Sequence, residues 1–145
     1  MSFNLAAIHN ALAAQLEENI ARSVHVYAFD PGETRQYPCI TIDPGDPYVV
    51  YHETFGPNGL EGITLRVSVH INAAEIDQRI ALADFCSDGA GMNSSVRQAV
   101  EVDQTWGGTV ATSVCIQVGA PEQADELGVL TATFDVQAHQ HRGGS

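Results

Sequence analysis

The sequence predicts an α+β fold in a single domain: a mostly antiparallel sheet of about five to six strands with helices packed on one face. Three observations lead to it. Between Gly62 and Asn72, Ile63, Leu65, Val67, Val69 and Ile71 alternate with Thr64, Arg66, Ser68, His70 and Asn72. That period of two gives the strand one apolar and one polar face, the mark of an antiparallel sheet covered on one side. Near the start of the chain, Leu5, Ile8, Leu12 and Leu16 recur at helical spacing. No repeat, low-complexity stretch or linker divides the chain, whose 145 residues suit one domain with a real core.

The first helix opens with Asn4 as N-cap and runs to Glu17–Glu18, covering one face of the sheet. Val24, Val26 and Ala28 then alternate with His25, Tyr27 and Phe29 in a short strand that ends at the turn Asp30–Pro31–Gly32. A second strand covers Cys39–Ile42 and is broken by Asp43–Pro44–Gly45–Asp46–Pro47. A third, Tyr48–Thr54, leads to a loop tip at Phe55–Gly59. After the long strand, Asn72 and Glu75 make a capping-box-like start for a second helix that shares Ile76, Ile80 and Ala83 on one face and ends at Asp88–Gly91. A third helix opens at Ser94 or Ser95, carries Val96, Ala99 and Val100 on one side, and closes at Asp103–Gly108. There the chain must reverse, and at least one of Gly107 and Gly108 needs a positive φ. Two strands complete the sheet: Thr109–Val118, burying Val110, Val114, Ile116 and Val118, and Gly128–Ala138, burying Leu130, Ala132, Phe134 and Val136. The acidic link Gly119–Leu127 reads as a solvated loop. The domain spans residues 1–138, and 139–145 form a flexible C-terminal tail.

Eighteen Asp and Glu face six Arg and no Lys, a formal net charge of -12. Such a balance argues against a protein that grips nucleic-acid phosphates, which needs clustered cations, and against binding to an anionic membrane surface. Cys39, Cys86 and Cys115 are odd in number, far apart and set among apolar residues, so they read as buried free thiols. The start of the chain has no basic segment followed by a long apolar core, and no run approaches the roughly 18 apolar residues of a spanning helix. The expectation is a protein made and kept in a cytoplasm, without a membrane.

Candidate chemistry is sparse. His139 and His141, two apart on a strand, could share a metal ion, but no third ligand lies nearby in sequence, and no metal is expected. His25, His52 and His70 read as solvent-facing residues. Ser94 and Ser95 sit where N-caps belong, and no nucleophile elbow or phosphate-cradling motif accompanies them. The acidic pairs Asp43–Asp46 and Asp84–Asp88 stand in turns and helix ends, where carboxylates are ordinary. The expectation is no enzyme and no cofactor, with function carried by contact with other proteins.

Several strings, together covering nearly the whole chain, carry a resemblance: Leu5–Ala6–Ala7–Ile8 running into Ala11–Leu12–Ala13–Ala14, Tyr37–Pro38–Cys39–Ile40 entering a strand, and above all Ser95–Val96–Arg97–Gln98–Ala99–Val100–Glu101–Val102–Asp103 continuing into Trp106–Gly107–Gly108–Thr109–Val110. In these the chain resembles the tail terminator (neck, head-to-tail connector) proteins of long-tailed bacteriophages, especially those infecting actinobacteria. It departs from them in the Trp at 106, where an aliphatic residue is expected, and in the short stretch between Gly119 and Gly128. The resemblance implies a virion protein of the tail and neck, assembled in the host cytoplasm as a ring of six subunits. That ring would end growth of the tail tube and join the tail to the head connector. Its partners would be further copies of the chain, the major tail tube protein and a head-completion or connector protein, with DNA passing through the bore without specific binding. Candidate contact residues are Phe55 and Asn58 on one loop, Glu122, Asp125 and Glu126 on another, Arg66 and His70 on the polar sheet face, and Trp106; Gly107 and Gly108 serve the turn. Two alternatives remain: another phage neck or tail-completion protein, or a cytoplasmic ligand-binding subunit.

Overall fold

The computed structural model describes residues 4–21, 24–32, 36–51, 59–87, 95–124 and 128–141. Its elements are α1 (Leu5–Asn19), β1 (His25–Tyr27), β2 (Cys39–Val50), β3 (Leu60–Asn72), α2 (Ile76–Cys86), α3 (Val96–Glu101), β4 (Thr112–Val118), β5 (Glu122–Ala124) and β6 (Val129–His141). The strands form one six-stranded sheet in the order β1-β2-β3-β6-β4, with β5 pairing with β6. Among the described residues only the β1–β2 pair is parallel.

The alternation that marked β3 puts Ile63, Leu65, Val67, Val69 and Ile71 on one face, all fully buried. Register carries the row sideways: Val67 lies between Ile42 of β2 and Phe134 of β6, and Leu65 lies opposite Val136. Onto this layer pack Ile8, Leu12 and Leu16 of α1, Leu82 and Phe85 of α2, and Val96 and Val100 of α3, in one continuous core. The helices start as the sequence indicates. Asn4 Oδ1 accepts from Ala7 N at 3.1 Å, and Ser95 Oγ from Gln98 N at 3.2 Å. At α2 the device differs: Gln78 Oε1 accepts from Asn72 N, and Gln78 Nε2 donates to Glu75.

Five expectations are corrected. The segment Cys39–Val50 is one strand, because the register passes from Pro44 opposite Leu65 to Val49 opposite Ile63 and the residues between bulge without ending it. Pro44 and Pro47 are tolerated because β1 pairs with β2 only at Cys39–Thr41, leaving the rest of that side as an edge. In α2 the buried face is Ala81, Leu82 and Phe85; Ile76 is 68% and Ile80 55% exposed. Seating the Phe85 ring in the core turns the isoleucines, nearly opposite on the helical wheel, outward. In β4 it is Ser113 and Cys115 that face the core, opposite Ala138 and Val136, while Val114, Ile116 and Val118 are exposed. Val110 is buried by the turn before the strand, so it does not set the strand's phase. Finally, the acidic link contains β5, and β6 runs past residue 138 to His141, because His139 pairs with both Gly62 and Thr112.

The bulge in β2 requires glycine: a Cβ on Gly45 would lie 2.5 Å from Thr64 Cγ2 and 2.8 Å from its carbonyl oxygen. Gly45→Ala is therefore expected to lower unfolding free energy by about 1–3 kcal/mol. Gly119→Ala, where the nearest atom lies 3.9 Å away, should stay within about 0.5 kcal/mol of wild type. Urea denaturation monitored by circular dichroism compares the two, and equal midpoints would contradict the close contact at Thr64.

Candidate functional site

On the sheet face opposite the helices, a groove of about 550 Å³ crosses β2, β3 and β6. Arg66, Ser68, Thr133 and Asp135 form its floor, with Asp43 and Glu122 at its sides. The cross-strand partners Arg66 and Asp135 approach to 3.9 Å, half-exposed and hence weakly coupled, and Gln117 Nε2 donates to Asp135 at 2.8 Å. The groove thus brings together two of the sequence candidates, Arg66 and Glu122.

His70 does not face solvent as expected. It is 7% exposed, held between Thr41 Oγ1 at 2.9 Å from Nε2 and Thr131 Oγ1 at 2.8 Å from Nδ1. Thr41 Oγ1 also lies 3.4 Å from Asp43 Oδ2, so the imidazole links two threonine hydroxyls and, through one of them, a carboxylate. This chain of polarised bonds ties three strands together beneath the groove, whose lining does not include the imidazole. Register explains the burial: His70 sits in the central strand with hydrogen-bonding neighbours on both sides, which alternation alone does not show.

Trp106 is likewise corrected. It is buried in the core, its indole Nε1–H donating to Val100 O at 3.1 Å, and is not a contact surface. Trp106, Gly107 and Gly108 have φ of 48, 70 and 88°, so the reversal passes through three left-handed residues. For tryptophan that conformation is costly, and its burial holds it there. Asp103 organises the turn. Its carboxylate accepts from the Thr105 hydroxyl at 2.7 Å, from Gly107 N at 2.9 Å and from Thr105 N at 3.0 Å. These bonds, the hydroxyl foremost, hold its pKa below the ordinary carboxylate value.

The sheet's two edges differ. On β4, Gln104 Nε2 donates to Ser113 O at 3.0 Å and Cys115 N donates to Glu101 Oε2 at 2.9 Å, so α3 and its turn cover the first half of the strand. Ile116, 54% exposed, and Val118 lie beyond this cover. Beside them opens a cavity of about 280 Å³ lined by Cys86, Cys115, Val118 and Phe134, with Arg97 at its side. Burial pushes the Cys86 thiol pKa up. On the far side of the sheet, Phe29 is 52% exposed and stacks on His9 of α1 at 4.4 Å. His9 is buried; its Nδ1–H donates to Ala28 O at 2.8 Å and its Nε2 accepts from Tyr48 Oη at 2.7 Å. Val50 and Tyr51 are also exposed, at the end of β2.

Phe55, Asn58, Asp125 and Glu126 lie outside the described residues, as does His52. Cys39 and Cys115 are buried and Cys86 half-buried, all as free thiols. Among the described residues no group of three or more His, Cys, Asp or Glu could hold a metal ion, and no helix is long and apolar enough to cross a membrane. The sequence reading missed Phe29 and Ile116 as surface residues. Phe29 directly precedes the turn signal Asp30–Pro31–Gly32, which was the available hint; Ile116 sits at a bulge in the β4–β6 pairing, which gives none. No protein-family model matches the chain, and a search of curated proteins finds no match.

Two expected outcomes follow from this geometry. His70→Ala, leaving two hydroxyls short of a partner, should cost about 1–3 kcal/mol in urea denaturation, whereas Arg66→Ala should stay within about 0.5 kcal/mol. For Asp103, the folded pKa lies below the unfolded one, so its carboxylate stabilises the fold above about pH 4 and ceases to as pH falls through the folded pKa. Asp103→Asn should therefore melt lower than wild type at neutral pH, and the gap should close on acidification. A gap independent of pH would show that the charge on Asp103 is not what the turn uses.

Proposed function

We propose that this protein is a structural subunit of a phage virion that assembles head to tail into a ring, caps the tail tube and joins the tail to the head connector. The observation that carries this reading is the placing of exposed apolar side chains on opposite edges of one sheet: Phe29, Val50 and Tyr51 on the β1–β2 side, and Val114, Ile116 and Val118 on β4. A ring needs a heterologous contact, two different patches on each subunit that fit one another. The strings at Leu5–Ala14, Tyr37–Ile40 and Ser95–Val110, through their likeness to tail terminators, supply the role and the expected six subunits. A net charge of -12 suits a bore through which DNA must pass without sticking. On this reading the protein catalyses nothing, needs no cofactor and belongs to the tail and neck, after assembly in the host cytoplasm. The outer-face groove favours the ligand-binding alternative by its size, but its charged lining departs from the apolar pockets that hold most small molecules.

Light scattering over a concentration series should show a monomer giving way to a ring. A phage lacking the gene should yield filled heads and separate tails without a proper stop, because an uncapped tube end keeps adding subunits. Joined, infectious particles with tails of normal length in that lysate would refute the proposal. Presence of the chain elsewhere in the neck would favour another completion protein.

A further inference from the structure

The geometry points to one particular junction: Phe29 of each copy enters the cavity beside β4 of the next, with Asp30 meeting Arg97 at its side. This inference rests on the ring reading and specifies its contact. Strand direction permits the approach, since β1, β2 and β6 run one way and β3 and β4 the other. A neighbour set alongside in the same orientation brings its β1 antiparallel to β4. Two stretches of edge are closed to an incoming strand: Pro44 and Pro47 interrupt β2, and Gln104 and Glu101 cover Ser113 and Cys115.

Phe29 and the cavity also lie in the same layer. Phe29 stacks on His9 of α1, and the cavity is lined from the helix side by Cys86 of α2 and Arg97 of α3. About 280 Å³ beside Phe134 and Val118 leaves room for an aromatic ring. Charge agrees with the fit. In a chain with six cations and eighteen acids, Arg97 stands at this cavity with its side chain 55% exposed, 3.7 Å from Glu101 in a weak helix-surface pair. On the opposite edge the exposed aromatic is followed at once by an exposed acid, Asp30. An aromatic anchor in a desolvated pocket supplies hold, and the charge at the side sets register.

The test uses the full-length protein, with circular dichroism melts to verify that each variant is folded. Arg97→Asp and Phe29→Asp should each weaken ring formation more than about thirtyfold in light scattering. Asp30→Arg should weaken it too, and the double variant Asp30→Arg with Arg97→Asp should recover it. Mixing Phe29→Asp chains with Ile116→Asp chains, neither of which closes a ring, should give dimers that go no further, since only one junction in each pair is intact. Alkylation of Cys86 by iodoacetamide should slow at least tenfold on assembly. Folded Phe29→Asp and Arg97→Asp chains that form rings as readily as wild type would overturn this junction while leaving the ring reading in place. Wild-type chains that stay monomeric at every concentration would overturn both.

Discussion

Five aliphatic side chains at a period of two along β3, all fully buried, are the constraint to which the rest of the molecule answers. A one-residue slip of any neighbour would turn its apolar set to the wrong face, so β2 and β6 are held to one register across the whole width of the sheet. The departures from regularity absorb what the chain cannot fit. The bulge around Gly45 takes up the extra residues between Pro44 and Val49 while Ile42 before it is buried in the core and Tyr48 after it packs against the core. Irregular pairing around Ile116 does the same for β4, between Cys115 and Gln117.

The second organising region is the passage from α3 to β4. A tryptophan in the left-handed region carries strain of about 1–3 kcal/mol, and truncating a buried Trp generally costs about 3–5 kcal/mol, so packing outweighs the strain. Gln15 of α1 donates to Asp103 O at 3.2 Å, tying the first helix to this turn across most of the sequence. The same segment supplies Glu101 and Gln104 to the edge of β4, so one short stretch closes the core and shields half of an edge.

Polar and apolar surfaces are distributed to separate ends. On the helix-free face, hydroxyls, His70 and the Arg66–Asp135 pair satisfy one another across three strands. The large exposed apolar side chains lie instead on α2, at the end of α3 and at the two sides of the sheet, away from that face's hydrogen-bonded centre. With a surface so short of cations, recognition through the edges would depend on apolar fit and on the few arginines available.

By itself the sequence determined whatever follows from period and from local chemistry. The α+β class, the inward row of β3, the cap at Asn4, a serine cap on α3 at Ser94 or Ser95, the packed face of α3 and the glycine turn could all be read from it, because each is decided by residues within a few positions of one another. Tertiary structure decided the rest. Ile76 and Ile80 lost the core to Phe85 because α2 has two apolar faces and only the volume above the sheet could choose between them. Val114 and Ile116 faced out because β4 takes its phase from β6, sixteen or more residues further along the chain. His70 was buried because its strand lies at the centre of the sheet, and Trp106 because the turn folds it under α3. Strand order, register and competition for a shared core are properties of the assembled sheet, and no local pattern encodes them.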